Sequence, residues 1–404
     1  EAKKNYFLGM VHGLRAFYYF DLYRIYGGVP LRLGVEVIDG ELDPTKLYTP
    51  RATPTEVMTQ IKSDLQKSLE YFGNVNSFNP YGMGNKVYWN KASTEALIGE
   101  VYLWNSKVTT GDNTAKPADL AVSKQHLLNV VNNYGLSMRN KFADVFDTNY
   151  KGNSEIIFAI RFAEGEASNG FGQYVYNIGT GQTSRSAYLE DGTLFVDPLQ
   201  VAGAGSMQRY EYVEALFNSF DKEDSRRDAT FLAAYNKNSE GELVYRGTHV
   251  RKNIGYINTG GTRVWVGDMV FYRLPWVYLT LAEIANMEGD NDKVEEYINL
   301  VRERAYGENW APEFEFVAGD FTTNELAILA EKDKEFVQEG QRWWDIRRMT
   351  LTKGGTPLVF TSQASYSGVP ILDQSTEAHK LLWPLDRSLL DNDDALVQTP
   401  GYEN

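Results

Sequence analysis

Aromatic side chains set in polar surroundings are the residues of this sequence best equipped for chemistry, and that chemistry is recognition. Phe78, Tyr81, Asn85 and Tyr88 stand in NSFNPYGMGNKVYWN; Tyr174, Tyr176 and Tyr188 lie in a Gly- and Ser-rich central stretch; Tyr256, Trp265 and Trp310 follow in further loops. A ring offers a flat apolar face to the C–H groups of a sugar, and neighbouring Asn, Gln, Asp and Arg can hydrogen-bond its hydroxyls. We take Tyr81, Asn85, Tyr88, Tyr188, Tyr256, Trp265 and Trp310 as the ligand-binding candidates. The competing reading of each ring is that it pins its own loop to the scaffold.

Catalytic and metal chemistry find less support. His12, His126, His249 and His379 show none of the H-x-x-x-H or H-E-x-x-H spacings of a zinc site. There is no G-x-S-x-G elbow, and GTGQTS at Gly179 lacks the lysine and the strand-to-helix setting of a phosphate loop. EGDNDKVEE and DKEDSRRD miss the spacing of calcium loops and read better as helix caps and solvated faces. With 54 acidic residues, a carboxylate pair for glycoside hydrolysis can always be imagined, so abundance carries no signal. The chain has no cysteine, which removes disulfides, thiolate metal sites and cysteine nucleophiles together. We therefore expect no catalytic residue, no metal and no cofactor.

A formal net charge of -14 disfavours nucleic acid and anionic headgroups, which reward basic patches. No apolar run reaches the length of a membrane span. The opening EAKKNYFLGM has no initiator methionine and no signal region, and reads as the inside of a helix, so we expect a segment upstream of it.

The elements that must position these rings are mostly helical. From Tyr6 to Tyr26 apolar residues recur at three and four, and Gly27, Gly28 and Pro30 stop the pattern. Thr53, Pro54 and Glu56 form a capping box that opens a second helix along Val57, Ile61, Leu65, Leu69 and Phe72. NKASTEALIGEVYLWNS and ADLAVSKQHLLNVVNNYG read as a second pair, the latter ended by Gly135. Residues 136–268 are rich in Gly, Ser, Asn and Tyr, with strand-like runs only at Glu155–Phe162 and Leu243–Val250. Helical periodicity returns in MVFYRLPWVYLTLAEIANMEGDNDKVEEYINLVRERA, two helices joined at Gly289-Asp290-Asn291-Asp292 in the manner of a tetratricopeptide repeat. A fourth pair opens with a capping box at Thr322-Thr323-Asn324-Glu325 and leads to QRWWDIRRM.

The expected fold is thus mostly α: four tetratricopeptide-like helix pairs forming a scaffold, with an irregular loop-rich subdomain and a few short strands. Its segments are 1–135, the first two pairs; 136–268, the irregular region; 269–350, the last two pairs; and 351–404, an irregular C-terminal segment packed on the scaffold. The tandem Trp343 and Trp344 sit about 100° apart on a helix and cannot make one flat platform, which assigns them to packing. Glu339 with Arg342, and Asp345 with Arg348, are spaced to pair along the same face.

A set of stretches in a fixed order carries a resemblance: LRAFYYFDLYRIYGGVPL, TPRATPTEVMTQIKSDLQKSLEYF, NKASTEALIGEVYLW, YRLPWVYLTLAEIANMEGD with INLVRERA, EKDKEFVQEGQRWWDIRRM, and KLLWPLDRSLLDNDDALVQTPGY. In this order they resemble the SusD/RagB family, the surface glycan-binding lipoproteins of Bacteroidetes polysaccharide-utilisation systems. The resemblance runs nearly end to end and implies the same helical architecture. It also implies a signal peptide and lipid-bearing cysteine upstream of Glu1, an outward-facing place at the outer membrane, and a SusC-like TonB-dependent porin to which bound oligosaccharide is delivered. The family's ligand site is built from aromatic and polar loop residues that vary with the glycan. Non-catalytic capture of oligosaccharide or polysaccharide is the leading expectation. A glycoside hydrolase of helical-barrel type and a peptide- or protein-capturing repeat protein are the alternatives.

Overall fold

A computed structural model describes residues 1–34, 43–82, 84, 86–170, 187–201 and 211–403. Asn85, Tyr174, Tyr176 and the GTGQTS stretch at Gly179 lie outside the described residues. The helices are α1 (Ala2–Tyr26), α2 (Pro54–Phe72), α3 (Lys91–Lys107), α4 (Asp119–Asn133), α5 (Glu214–Phe217), α6 (Ser225–Thr230), α7 (Leu274–Glu288), α8 (Asn291–Tyr306), α9 (Phe321–Glu335), α10 (Arg342–Arg348), α11 (Gln374–Glu377) and α12 (Arg387–Asn392). The strands are β1 (Ile156–Ile160), β2 (Phe231–Lys237), β3 (Leu243–Val250), β4 (Tyr256–Ile257), β5 (Arg263–Val264) and β6 (Met269–Arg273).

The chain divides into two compact units. Unit 1 holds residues 1–81, 89–134 and 343–404. Here α1 packs on α2 and α3 on α4, the first two expected pairs. The reasons are local. Gly27, at φ 75°, ends α1 by donating its N–H to the Tyr23 carbonyl at 2.8 Å. Thr53 and Glu56 form the expected reciprocal cap of α2, at 3.2 and 2.8 Å. Asp64 of α2 joins the pair by accepting from Arg15 at 2.6 Å and lying 2.7 Å from His12 Nδ1. Small residues let α3 and α4 approach until Ser123 Oγ donates to the Gly99 carbonyl at 2.6 Å. The C-terminal segment is tied to the end of α1: Trp383 N donates to the Ile25 carbonyl at 2.8 Å. Arg51 also donates to the Val397 carbonyl at 3.1 Å.

Unit 2 holds residues 82–88 and 135–342. The third expected pair is α7 packed on α8, and α9 lies against α7, where Asn286 donates to the Phe321 carbonyl and to Glu325, at 3.0 and 2.9 Å. Among the described residues three two-stranded antiparallel sheets form, β2–β3 and β4–β5 within the loop-rich region and β1–β6 joining it to the residues just before α7. An apolar core forms where Phe195, Phe217, Phe220, Phe231 and Val250 meet. Beside it lies a buried ionic network: Arg226, Arg273 and Arg304 face Asp224, Glu155, Glu331 and Glu335.

Some sequence expectations need correction. Met269–Arg273, read as the start of a helix, is β6 and pairs with β1; Pro275 fits the first turn of α7, so the helix begins after the strand. The cap of α9 is Asp320, whose carboxylate accepts from Thr323 N at 2.8 Å, rather than Thr322, which lies inside the helix. Glu339 turns to Arg273 and Lys252, because two buried cations outweigh a neighbour three residues along. Arg342 reaches Asp333 instead, whereas the Asp345–Arg348 pair forms as expected at 2.6 Å.

Candidate functional site

Each predicted ring has a distinct setting. In unit 1, Tyr81 is 46 % exposed, holds a left-handed φ of 58°, and meets the buried Tyr6 edge-on at 5.8 Å. In unit 2, Tyr88 is 48 % exposed. Tyr188 exchanges backbone hydrogen bonds with Tyr235 at 2.8 Å, and Lys237 Nζ lies 4.3 Å from its ring centroid, so an internal cation covers one ring face. Trp310 leans on Tyr306 at 6.1 Å. Trp265 is 6 % exposed and packs in the core of unit 2. Its polar-loop sequence concealed this burial, and the placement removes Trp265 from the ligand candidates.

The structure brings Tyr256 and Trp265 into one substructure, the β4–β5 hairpin. Tyr256 pairs with Val264, and Ile257 with Arg263. Successive strand residues face opposite ways, which puts Tyr256 and Val264 on one face and Arg263 on the other. Arg263 Nε donates to the Leu199 carbonyl at 3.1 Å, and Trp265 sits in the core cluster with Leu199. The Trp265 carbonyl accepts from Asn169 N at 2.7 Å, whose side chain donates to the Gly267 carbonyl at 2.9 Å. The hairpin tip is shaped by Asn258, whose side-chain oxygen accepts from Gly260 N and Thr262 N, both at 3.0 Å. Gly255 enters the hairpin at φ 74°, and a Cβ there would lie 1.9 Å from the Val264 carbonyl oxygen, so only glycine fits.

The outward side of this hairpin is amphipathic. The half-buried ring of Tyr256 donates its hydroxyl to Glu164 at 2.5 Å, and this bond to a carboxylate raises the phenol pKa. Glu164 is exposed on a turn closed by the Ala163–Ala167 bridge. An apolar ring face beside a solvent-facing carboxylate is an arrangement that can take a polyhydroxylated ring. Among the described residues no group of three or more His, Asp or Glu is placed to hold a metal ion.

Comparison with known proteins decides the family. The SusD family model matches residues 235–402. A SusD superfamily protein of solved structure from Bacteroides fragilis NCTC 9343 is 61 % identical, covering 100 % of this chain and 81 % of its own, with a TM-score of 0.93. The chain belongs to the SusD family. B. fragilis NanU is similar at 32 % identity, with 100 % of this chain and 79 % of its own covered and a TM-score of 0.81. SusD-like protein P2 of Formosa agariphila is 26 % identical over 87 % of this chain and 66 % of its own length. The chain thus spans just under two thirds of that curated relative.

For this SusD-family chain the tandem tryptophans are scaffold. Trp344 meets Trp104 edge-on at 6.3 Å, with the Arg24 guanidinium 4.4 Å from its centroid, and Arg347 lies over both Trp343 and Trp344 at 5.6 and 5.3 Å. The residue that sequence reasoning missed is Glu164, which stands 92 positions from Tyr256 and becomes its neighbour only through folding. The sole hint was an acidic residue in the Ala- and Gly-rich stretch FAEGEASNG.

Unit 2 also carries a pH-sensitive group. His249 on β3 is 3 % exposed and lies against Phe195 at 5.2 Å. Burial, reinforced by Arg246, lowers its pKa to about 4. Between pH 6.5 and 4 the unfolded chain takes up a proton that the folded chain refuses, so stability falls as pH drops through that window and levels off below it. A gap of this size corresponds to about 3 kcal/mol. In urea titrations at stepped pH, His249→Gln is expected to flatten this part of the profile; an unchanged slope would show that other groups set it.

Proposed function

We propose that this chain is a non-catalytic binding protein that holds an oligosaccharide or polysaccharide at the outer surface of the outer membrane for uptake through a SusC-like TonB-dependent porin. The observation that carries the reading is membership of the SusD family at 61 % identity to a solved member, a family whose proteins generally bind glycans and work with SusC-type porins. Among the described residues no helix is long and apolar enough to cross a membrane. An N-terminal lipid anchor of the family's kind is the proposed means of attachment, and the whole protein's porin partner belongs to the same proposal.

The proposed contact surface is the outward face of the β4–β5 hairpin, with Tyr256 as the stacking ring and Glu164 as acceptor for sugar hydroxyls. The exposed rings of Tyr81 and Tyr88 are further candidates, and Asn85 is proposed from sequence alone. Tyr256→Ala is expected to weaken binding about tenfold, equivalent to about 1.4 kcal/mol, with little change in stability, since the ring is only half-buried. Calorimetry against a broad oligosaccharide panel checks this. Binding to no member of the panel would overturn the glycan reading. Unaltered affinity in Tyr256→Ala would remove the hairpin surface and leave the family reading standing. Product release from a polysaccharide would favour a hydrolase.

A further inference from the structure

The turn that carries Glu164 is fastened at both ends. At its start the Phe162 N–H donates to Asp268 Oδ1 at 3.2 Å, and Lys151 Nζ lies 2.8 Å from the same oxygen while donating to the Phe162 carbonyl at 2.5 Å. At its end Asn169 donates through backbone and side chain to the Trp265 and Gly267 carbonyls, just past β5. Between these anchors the Ala163 carbonyl accepts from Glu166 N and Ala167 N, at 3.0 and 3.1 Å. The carboxylate is therefore set beside the Tyr256 ring before any ligand arrives, and little ordering remains to be done on binding. The hydrogen bonding that this pair offers is one-sided. Tyr256 commits its single hydroxyl proton to Glu164 Oε2, so the phenol oxygen can only accept from a ligand, and an ionised carboxylate has no proton to give. The exposed Glu164 keeps its second oxygen as a further acceptor.

We infer that the hairpin face selects saccharides by charge: it takes neutral or amino sugars and turns away uronic acids and sulfated sugars, and Glu164 is the residue that sets this preference. The inference rests on the proposed hairpin surface and names the chemical class of its ligand. A sugar hydroxyl or an ammonium group donates to the acceptors that Glu164 and Tyr256 present. A carboxylate or sulfate stacked at the same ring edge brings only more acceptors and a like charge, and leaves both sides unpaired. The net charge of -14 acts in the same direction at longer range. Because Glu164 is exposed, its repulsion of an anion is screened by salt, which gives the preference a signature that shape alone would not produce.

The test uses the 404-residue chain and its Glu164→Gln variant. Calorimetry at low ionic strength compares oligomers of galactose and of glucose with their uronate counterparts, oligogalacturonate and oligoglucuronate, and includes oligomers of unacetylated glucosamine. A neutral or amino oligomer is expected to bind about tenfold or more tightly than a uronate. Glu164→Gln, at an exposed position, is expected to keep the melting temperature, to weaken the neutral or amino ligand and to strengthen the uronate, closing the ratio to about threefold or less. Raising salt to about 0.5 M should narrow the ratio in the unaltered chain and leave it unmoved in the variant. Equal or tighter binding of the uronates, or a ratio that Glu164→Gln leaves unchanged, overturns the charge assignment while the glycan reading stands. Binding to none of these oligomers, nor to any other saccharide of the broad panel, overturns the glycan reading and this inference with it.

Discussion

Glu335→Ala is expected to destabilise unit 2 by about 3–5 kcal/mol, the usual result of leaving buried charges uncompensated. Glu335 is fully buried on α9. One of its oxygens accepts from Arg273 and Arg304, and the other lies 3.0 Å from Arg226 Nη1. Burial alone would raise the pKa of this carboxyl. The three arginines overcome that and hold it well below the ordinary carboxylate range, with Arg304 and Arg273 acting most strongly. The cations come from β6, α6 and α8, so a single carboxylate joins four elements distant in sequence. Alanine leaves the arginines facing Asp224, Glu155 and Glu331 without their shared partner. Glu335→Gln, which keeps an acceptor but not the charge, should fall between. Urea unfolding, with hydrogen exchange read at β1, β6 and α8, checks both. A loss under about 1 kcal/mol for the alanine variant would show that water or rearranged side chains replace Glu335 at little cost.

Gly13→Ala is expected to destabilise unit 1 by about 2–4 kcal/mol, the sum of an overpacking penalty and a strained or broken hydrogen bond. In an exposed helix the same change would stabilise by about 1 kcal/mol, since alanine is the better helix former. Here the added Cβ would lie 2.0 Å from Trp89 Nε1 and 2.6 Å from Cδ1. Trp89 is 1 % exposed and cannot step aside freely. Its Nε1 donates to Thr94 Oγ1 at 2.8 Å, Thr94 Oγ1 lies 2.9 Å from Ser68 Oγ, and Ser68 donates to the Gly9 carbonyl at 2.7 Å. Moving the indole therefore disturbs a buried chain that links α1, α2 and α3. Thermal and urea unfolding measure the effect; an unchanged or raised midpoint would mean that the indole and its partners shift without penalty.

Local signals were legible wherever neighbours in sequence are neighbours in space. The Thr53–Glu56 cap and the end of α1 at Gly27 form as read, because capping is closed within a few residues. The β3 strand, Leu243–Val250, coincides with the run picked out by its composition. Asp320 was missed because a capping box at Thr322 offered an equally good local pattern two residues later, and only packing of α9 selects between them. β6 was missed because MVFYR suits helix or strand, and its partner β1 lies more than a hundred residues away.

By itself, the sequence determined the helical scaffold and pointed to the family. These follow from periodicity, caps and ordered motifs, all local properties of the chain. Only the tertiary structure decided which aromatic rings remain available. Trp265 and Tyr256 both read as rings in polar loops, yet the alternation of strand β5 and its extension sends Trp265 into the core, while Tyr256 on β4 faces Glu164. The partners that settle each ring's environment, Leu199 for one and Glu164 for the other, are brought up from distant loops, and no local pattern records that approach.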